Sequence, residues 1–351
     1  MPELTLDIFN QDAFSNATMT GWVNTHVPFV PSLLSGMGLF TGTGVYTTQV
    51  LFDDENGSLS LVQSSPRASA PVQTKNNKGQ TRSLSTVRLA LEAAITADQV
   101  AGVRVLGSAT TLQTAERLVQ KRVEGPTGLK AQLSYTLEHM YLGAADGTVV
   151  DADGATTLWD YFAFYGVARP AAADQSFSAS ASDSSAFATG ITGWKRGMIK
   201  ALNGMNLGAA QPVALCGDNY YDAAWGCKEV TAARKALGTG NMQALPYLSD
   251  NKAYDSFSYG GVNFVNYRGS DDGATGIPID EGRLFMAGVP GLFQTFFAPA
   301  DTFDLVNTEG LPSYLIQRRE RQTESARVFE LQSNPLAMCM RPLSLRRLTK
   351  S

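Results

Sequence analysis

The segment from Leu112 to Met140 constrains the fold of this chain more than any other. Leu112, Ala115, Leu118, Val119 and Val123 recur at helical spacing, and so do Leu129, Leu133, Leu137 and Met140. A 3.6-residue apolar repeat of that extent buries one helix face along its course, so the rest of the chain must supply a surface for it. Gly125-Pro-Thr-Gly128 interrupts the repeat. Proline cannot donate to the helical ladder and clashes with the preceding turn, so the segment is two helices or one kinked helix. A second amphipathic stretch, Phe187, Ile191, Trp194, Met198 and Leu202, keeps the same period.

Most of the remaining chain is patterned for strands. Spacing predicts a strand pair over 45–52 and 58–63, turning at Asn56-Gly57, where the positive φ of a tight hairpin is easily adopted. A strand pattern resumes over 84–89, a hairpin is predicted over 149–158, and strands follow over 257–267, 283–287, 293–298, 313–318 and 328–340. The apolar run 213–216 precedes Asp218, which is placed to cap a helix running to Trp225. Residues 1–44 have no sustained period and read as an extended arm. Residues 64–83, polar and basic, read as either a projecting functional loop or a disordered stretch, and the Ala/Ser-rich stretch 170–186 as a connection. The sum is a mixed α+β chain.

Charge is segregated along it. No Lys or Arg precedes Arg67, and the acidic residues there are Glu3, Asp7, Asp12, Asp53, Asp54 and Glu55. Lys75, Lys78 and Arg82 follow in the polar loop, and Arg346 and Arg347 lie near the end of the chain. Such separation predicts complementary contacts within or between chains. A net charge of −4 and no aromatics interleaved with the basic loop argue against a dedicated nucleic-acid binder. Charged residues are only 17% of the chain, below the roughly 25% usual for soluble domains, which leaves room for a surface covered by partners.

No residue pattern specifies a reaction. Asp151-Ala-Asp153-Gly154 opens like a calcium loop, but Thr156 and Phe162 stand where its glycine and glutamate belong, so a turn is expected. The histidines are His26 and His139 only, too few for a zinc site or ordinary histidine catalysis. Asp271-Asp272 and Asp280-Glu281 sit beside Gly and Pro and read as turns rather than a glycosidase acid/base pair. Neither a phosphate-binding loop, a dinucleotide fingerprint nor a nucleophile elbow is present. Cys216, Cys227 and Cys339 have no CxxC spacing and fit small buried thiols in a reducing compartment. The Met-Pro-Glu opening has no basic n-region, and the apolar stretch 286–300 is too short and too broken to span a bilayer. No catalytic residue, metal, cofactor or membrane association is expected.

The run 279–301, IDEGRLFMAGVPGLFQTFFAPAD, closely resembles the signature of the phage major capsid protein E family, the lambda-type branch of shell proteins. VNTEGLP at 306–312 and LQSNPL at 331–336 continue the match. Upstream, VRVLG at 103–107, TLE at 136–138, VDADG at 150–154, ALCGD at 214–218 and YGGV at 259–262 keep the family's order. The resemblance covers about 45–342.

It implies the Hong Kong 97 capsid fold. On that footing 1–44 is an N-terminal arm, 45–90 an extended loop lying on a neighbour, and 91–165 a peripheral domain with the long spine helix. Residues 166–304 form an axial domain, and 305–351 return to the peripheral domain as strands and tail. The implied function is the major head protein of a tailed bacteriophage, self-assembled as pentamers and hexamers into an icosahedral virion shell around double-stranded DNA. Assembly in the host cytoplasm is expected, with a portal, a scaffold or maturation protease, and a decoration protein as partners. Packaged DNA is touched non-specifically. Lys75, Lys78 and Arg82 are expected to dock on an acidic surface of a neighbour, with Asp7, Asp12, Asp53, Asp54 and Glu55 as candidate partners. Two other readings are an encapsulin-type compartment, which the family-specific runs disfavour, and an α+β hydrolase with an unrecognised site.

Overall fold

The computed structural model describes residues 33–54, 80–96, 99, 115–125, 127–177, 185–202, 205–237, 254–267, 269–270, 275–319 and 326–350. Of the two options for the leading amphipathic segment, two helices form: α2 (Ala115–Glu124) and α3 (Leu129–Asp146), after the short α1 (Leu33–Gly36). The amide of Gly128 donates to the Gly125 carbonyl at 2.8 Å, closing a tight turn between them. A side chain on Gly128 would place its Cβ 2.6 Å from the Val123 carbonyl, so only glycine fits there. α3 ends at Gly147, whose φ of 92° is the left-handed cap conformation, and its amide returns to the Gly143 carbonyl at 2.9 Å.

α3 joins two cores. Its start, Leu129 and Leu133, packs with Val119 and Val123 of α2. The same cluster holds Ile95, Leu315, Phe329 and Leu331, from a three-stranded antiparallel sheet ordered β13 (Tyr314–Arg319), β14 (Ala326–Ser333), β4 (Leu89–Thr96). Its second half, Met140 to Ala145, enters the larger core. Burying one such apolar side chain stabilises the fold by roughly 1.5–3 kcal/mol, so α3 is pinned at both ends.

The larger core lies on a six-stranded mixed sheet ordered β7 (Ala173–Gln175), β16 (Arg346–Lys350), β11 (Glu281–Ala287), β8 (Gln211–Cys216), β10 (Val262–Asn266), β9 (Ser256–Tyr259). β8 is central, parallel to β10 and antiparallel to β11, and its Val213 to Cys216 are fully buried. That explains why it is a continuous apolar run and not an alternating one. The helix over Phe187–Leu202 forms as α5 (Ala186–Ala201), burying Phe187, Ile191 and Met198. α6 (Asp218–Gly226) is followed by α7 (Lys228–Leu237), which the sequence did not announce.

Several expectations are corrected. β2 (Gln49–Asp54) pairs antiparallel with β3 (Gln80–Ser85); the expected partner 58–63 and the turn at Asn56-Gly57 lie outside the described residues. The strand over 257–267 is the hairpin β9–β10, turned by Gly260 and Gly261 at φ 59° and 76°. The strand over 328–340 is two, β14 and β15 (Pro335–Cys339); β15 pairs with β12 (Phe293–Phe297), which also holds β1 (Thr41–Gly44) inside the expected arm. Asp218 is not a cap residue. Gly217 occupies that position, and Asp218 sits in the first turn, where its charge faces the helix dipole. Finally, β16 lies between β11 and β7, so the last strand joins strands of the 166–304 segment. The hairpin over 149–158 forms as β5 (Thr148–Val150) and β6 (Thr157–Asp160), and α4 (Tyr161–Tyr165) follows it.

Candidate assembly interface

Few of the expected contact residues are described. Lys75, Lys78, Asp7, Asp12 and Glu55 lie outside the described residues, and Asp53 and Asp54 end β2. Arg82 is in β3 and not in a loop. Its guanidinium donates to the Phe164 carbonyl of its own chain and lies over the rings of Phe164 and Tyr165, 5.8 and 6.0 Å from their centroids. Arg82 therefore ties the β2–β3 hairpin to α4.

The residues that resembled chemistry are absorbed by structure. Asp153 accepts from the amides of Ala155 and Thr156 at 2.9 and 2.8 Å and from the Thr156 hydroxyl at 2.6 Å. Those bonds, the hydroxyl's first, hold its carboxyl below the usual value and make the turn. His139 bridges α3 to the 148–158 hairpin, with Nε2 3.2 Å from the Val150 carbonyl and Nδ1 3.2 Å from the Thr275 hydroxyl. The carbonyl can only accept, so Nε2 carries the proton. Burial pushes the Cys216 thiol far up and that of Cys339 up to about 12, so neither offers a thiolate at neutral pH. Asp280 accepts from Asn219 at 3.0 Å, and Glu281 pairs with Arg283 at 2.7 Å. Asp271 and Asp272 lie outside the described residues. Among the described residues no three His, Cys, Asp or Glu side chains gather as a metal site, and no helix is long and apolar enough to cross a membrane.

Three carboxylates position the surfaces instead. Asp146, at the end of α3, accepts from Arg169 at 2.9 Å, from Arg347 at 2.8 Å and from Arg283. An anion there opposes the helix dipole, and the three guanidiniums outweigh that. Glu330 in β14 is clamped by Arg88 and by Arg318, the latter at 2.7 Å; Arg88 also holds Asp301 at 2.9 Å. The loop after β12 is thereby tied through Arg88 to Glu330 of β14. Glu229 of α7 accepts from the amides of Phe187 and Ala188, each at 3.0 Å, and so caps α5. Local spacing signals few of these partners, because pairs such as Arg88–Glu330 and Arg347–Asp146 are more than 200 residues apart.

Gly310 sets the close approach within the 306–312 motif. A Cβ there would lie 1.7 Å from the Phe297 carbonyl, so the loop reaches β12 only with glycine at that position. The same loop exposes apolar side chains: Phe303 is 100% exposed, Val306 49% and Leu311 40%. Tyr46 and Leu51 are also largely exposed, on the approach to β2 and within it. A folded chain that leaves large apolar side chains on its loops and strand edges presents surface that a partner can cover.

The family model of phage major capsid protein E matches residues 15–350. A major capsid protein of Pseudomonas phage KPP10 is 22% identical over 302 residues, covering 83% of this chain and 84% of the relative. A major capsid protein of Salmonella phage Felix O1 is 23% identical over 365 residues, covering 94% of each. Among solved structures, the capsid of cyanophage P-SCSP1u superposes with a TM-score of 0.52 at 11% identity, covering 93% of this chain and 90% of that one.

Proposed function

The chain belongs to the phage major capsid protein E family, and from that premise we propose how it builds the head of a tailed phage. It is a major capsid protein with the Hong Kong 97-like fold. In the proposed arrangement one sequence fills both pentamers and hexamers of an icosahedral shell. The segment 45–90 reaches over a neighbouring subunit, with Lys75 and Lys78 meeting acidic residues such as Asp7, Asp12 and the 53–55 cluster. The unit carrying the six-stranded sheet gathers around the symmetry axes. Its work is structural and not catalytic.

The observation that carries this reading is the unfinished surface of a finished fold. The two cores are closed, yet Tyr46, Leu51 and Phe303 stand in water. β4 borders β14 on one side only among the described residues. Strand edges and apolar loops of this kind are liabilities in a monomer and become contacts in a closed shell. DNA is touched only weakly, since each neutralised phosphate adds salt-sensitive affinity and the net charge of −4 disfavours it. Portal, scaffold or maturation protease, and decoration protein would engage the assembled shell, in the virion and during assembly in the host cytoplasm.

Sedimentation velocity across a range of concentrations tests the reading. Capsomers or shells are expected at moderate concentration. A monomer at every concentration and salt level overturns it.

A further inference from the structure

We infer that the loop 301–311 of one copy seats in a groove beside β4 of the next copy, an inference that rests on the shell reading above. The loop is built to present a fixed shape. Asp301 is held by Arg88 at 2.9 Å, and the Leu311 amide donates to the Tyr314 hydroxyl at 2.7 Å. Leu305 and Ala300 pack inward against Tyr314 and Ile316, while Phe303 and Val306 point to solvent. A preorganised loop loses little conformational freedom on docking. It is also of one sign. No Lys, Arg or His lies between Arg283 and Arg318, and the exposed Asp304 and Glu309 flank the apolar pair.

The groove has the complementary character. About 780 Å³ of space lies between α2, the start of α3 and the edge of β4 that pairs with no other strand among the described residues. Leu91, Ile95, Leu118 and Leu129 supply apolar lining, and the exposed Lys121 and Arg122 stand on the helical side. Glu92 is the acidic residue of the strand side and is exposed, away from the buried Ile95. An acidic loop with an apolar tip matches an apolar groove with cations on one wall.

The two surfaces cannot meet within one chain as it stands. Leu315, Phe329 and Leu331 face α2 and α3, whereas Tyr314 and Ile316 face the loop, so groove and loop lie on opposite faces of the same sheet. A contact between two different patches is head-to-tail, and such contacts close into rings when the rotation per subunit allows. Fivefold and sixfold capsomers need a repeating contact of this type.

Cross-linking of assembled particles decides it. Val306→Cys and Lys121→Cys are placed in separate copies, mixed, assembled and treated with a short bis-maleimide. The native cysteines are buried and remain spectators. Covalent dimers are expected from the mixture and from neither variant alone. Particles from the mixture without the cross-link overturn the contact and leave the shell reading standing. Cross-links from Val306→Cys alone also overturn it, since they place loop against loop. Absence of wild-type particles removes both. As a second arm, Asp304→Lys with Glu309→Lys should slow assembly about tenfold, and Lys121→Glu with Arg122→Glu should restore it. A slowed variant that the partner reversal does not rescue, with circular dichroism unchanged, also overturns the proposal.

Discussion

The backbone amide of Leu34 donates to Oε1 of Glu138 at 2.8 Å, across 104 residues of sequence. Ser35 adds its amide and its hydroxyl to the other carboxylate oxygen, each at 3.1 Å. Glu138 is only 3% exposed, so the middle of α3 holds α1 through a buried carboxyl group. The position of α1 is thus set by one side chain of α3.

Burial raises the Glu138 carboxyl above its ordinary 4.5, against the opposing pull of the Leu34 and Ser35 donors. The folded chain then keeps the proton to higher pH than the unfolded chain. The associated stability is full below 4.5 and is lost as pH rises through the raised value. Glu138→Gln removes that titration, so thermal melts across this range should show the variant gaining on wild type as pH rises. A difference in melting temperature that stays constant with pH contradicts it.

Asp146→Asn leaves Arg169, Arg283 and Arg347 facing one neutral acceptor. Because Asp146 is mostly buried, denaturant unfolding should show a loss of about 1–3 kcal/mol. The same midpoint as wild type would mean that the three guanidiniums are satisfied elsewhere.

Cys216→Ala removes one sulfur from a fully buried strand and should cost ~1 kcal/mol while leaving assembly intact. Cys216 and Cys339 should react with a thiol reagent only after unfolding. Fast labelling of both in the native protein, or stoichiometric zinc lost on mutation, would sink the packing account.

Electrostatic docking of the segment after β2 now divides into two tests. Arg82→Glu breaks a contact with Phe164 inside its own chain, so the subunit itself should lose about 1–2 kcal/mol. Lys75→Glu with Lys78→Glu should leave circular dichroism and melting nearly unchanged, yet slow assembly, and added salt should act in the same direction on wild type. Normal assembly of the double reversal at low salt ends the docking idea.

The helices were legible where apolar period and length agreed: α3 and α5 follow directly from Leu129 to Met140 and from Phe187 to Leu202. β16 was not, because Arg346-Arg-Leu-Thr-Lys350 carries one apolar residue and its meaning depends on Asp146, 201 residues before Arg347. The pairing of β2 with Gln80–Ser85 was not legible either, because strands separated by a long stretch of chain leave no signal in local spacing. The acidic apolar loop 301–311 was visible as a motif, but its exposure came only with Gly310 seated against Phe297.

Electron microscopy of the purified protein tests the central claim most directly. Closed shells built of fivefold and sixfold rings are predicted, with the six-stranded sheet nearest the axes and the loop 301–311 at a subunit boundary. Dispersed single subunits, or open sheets and filaments that never close at any salt concentration, would contradict it.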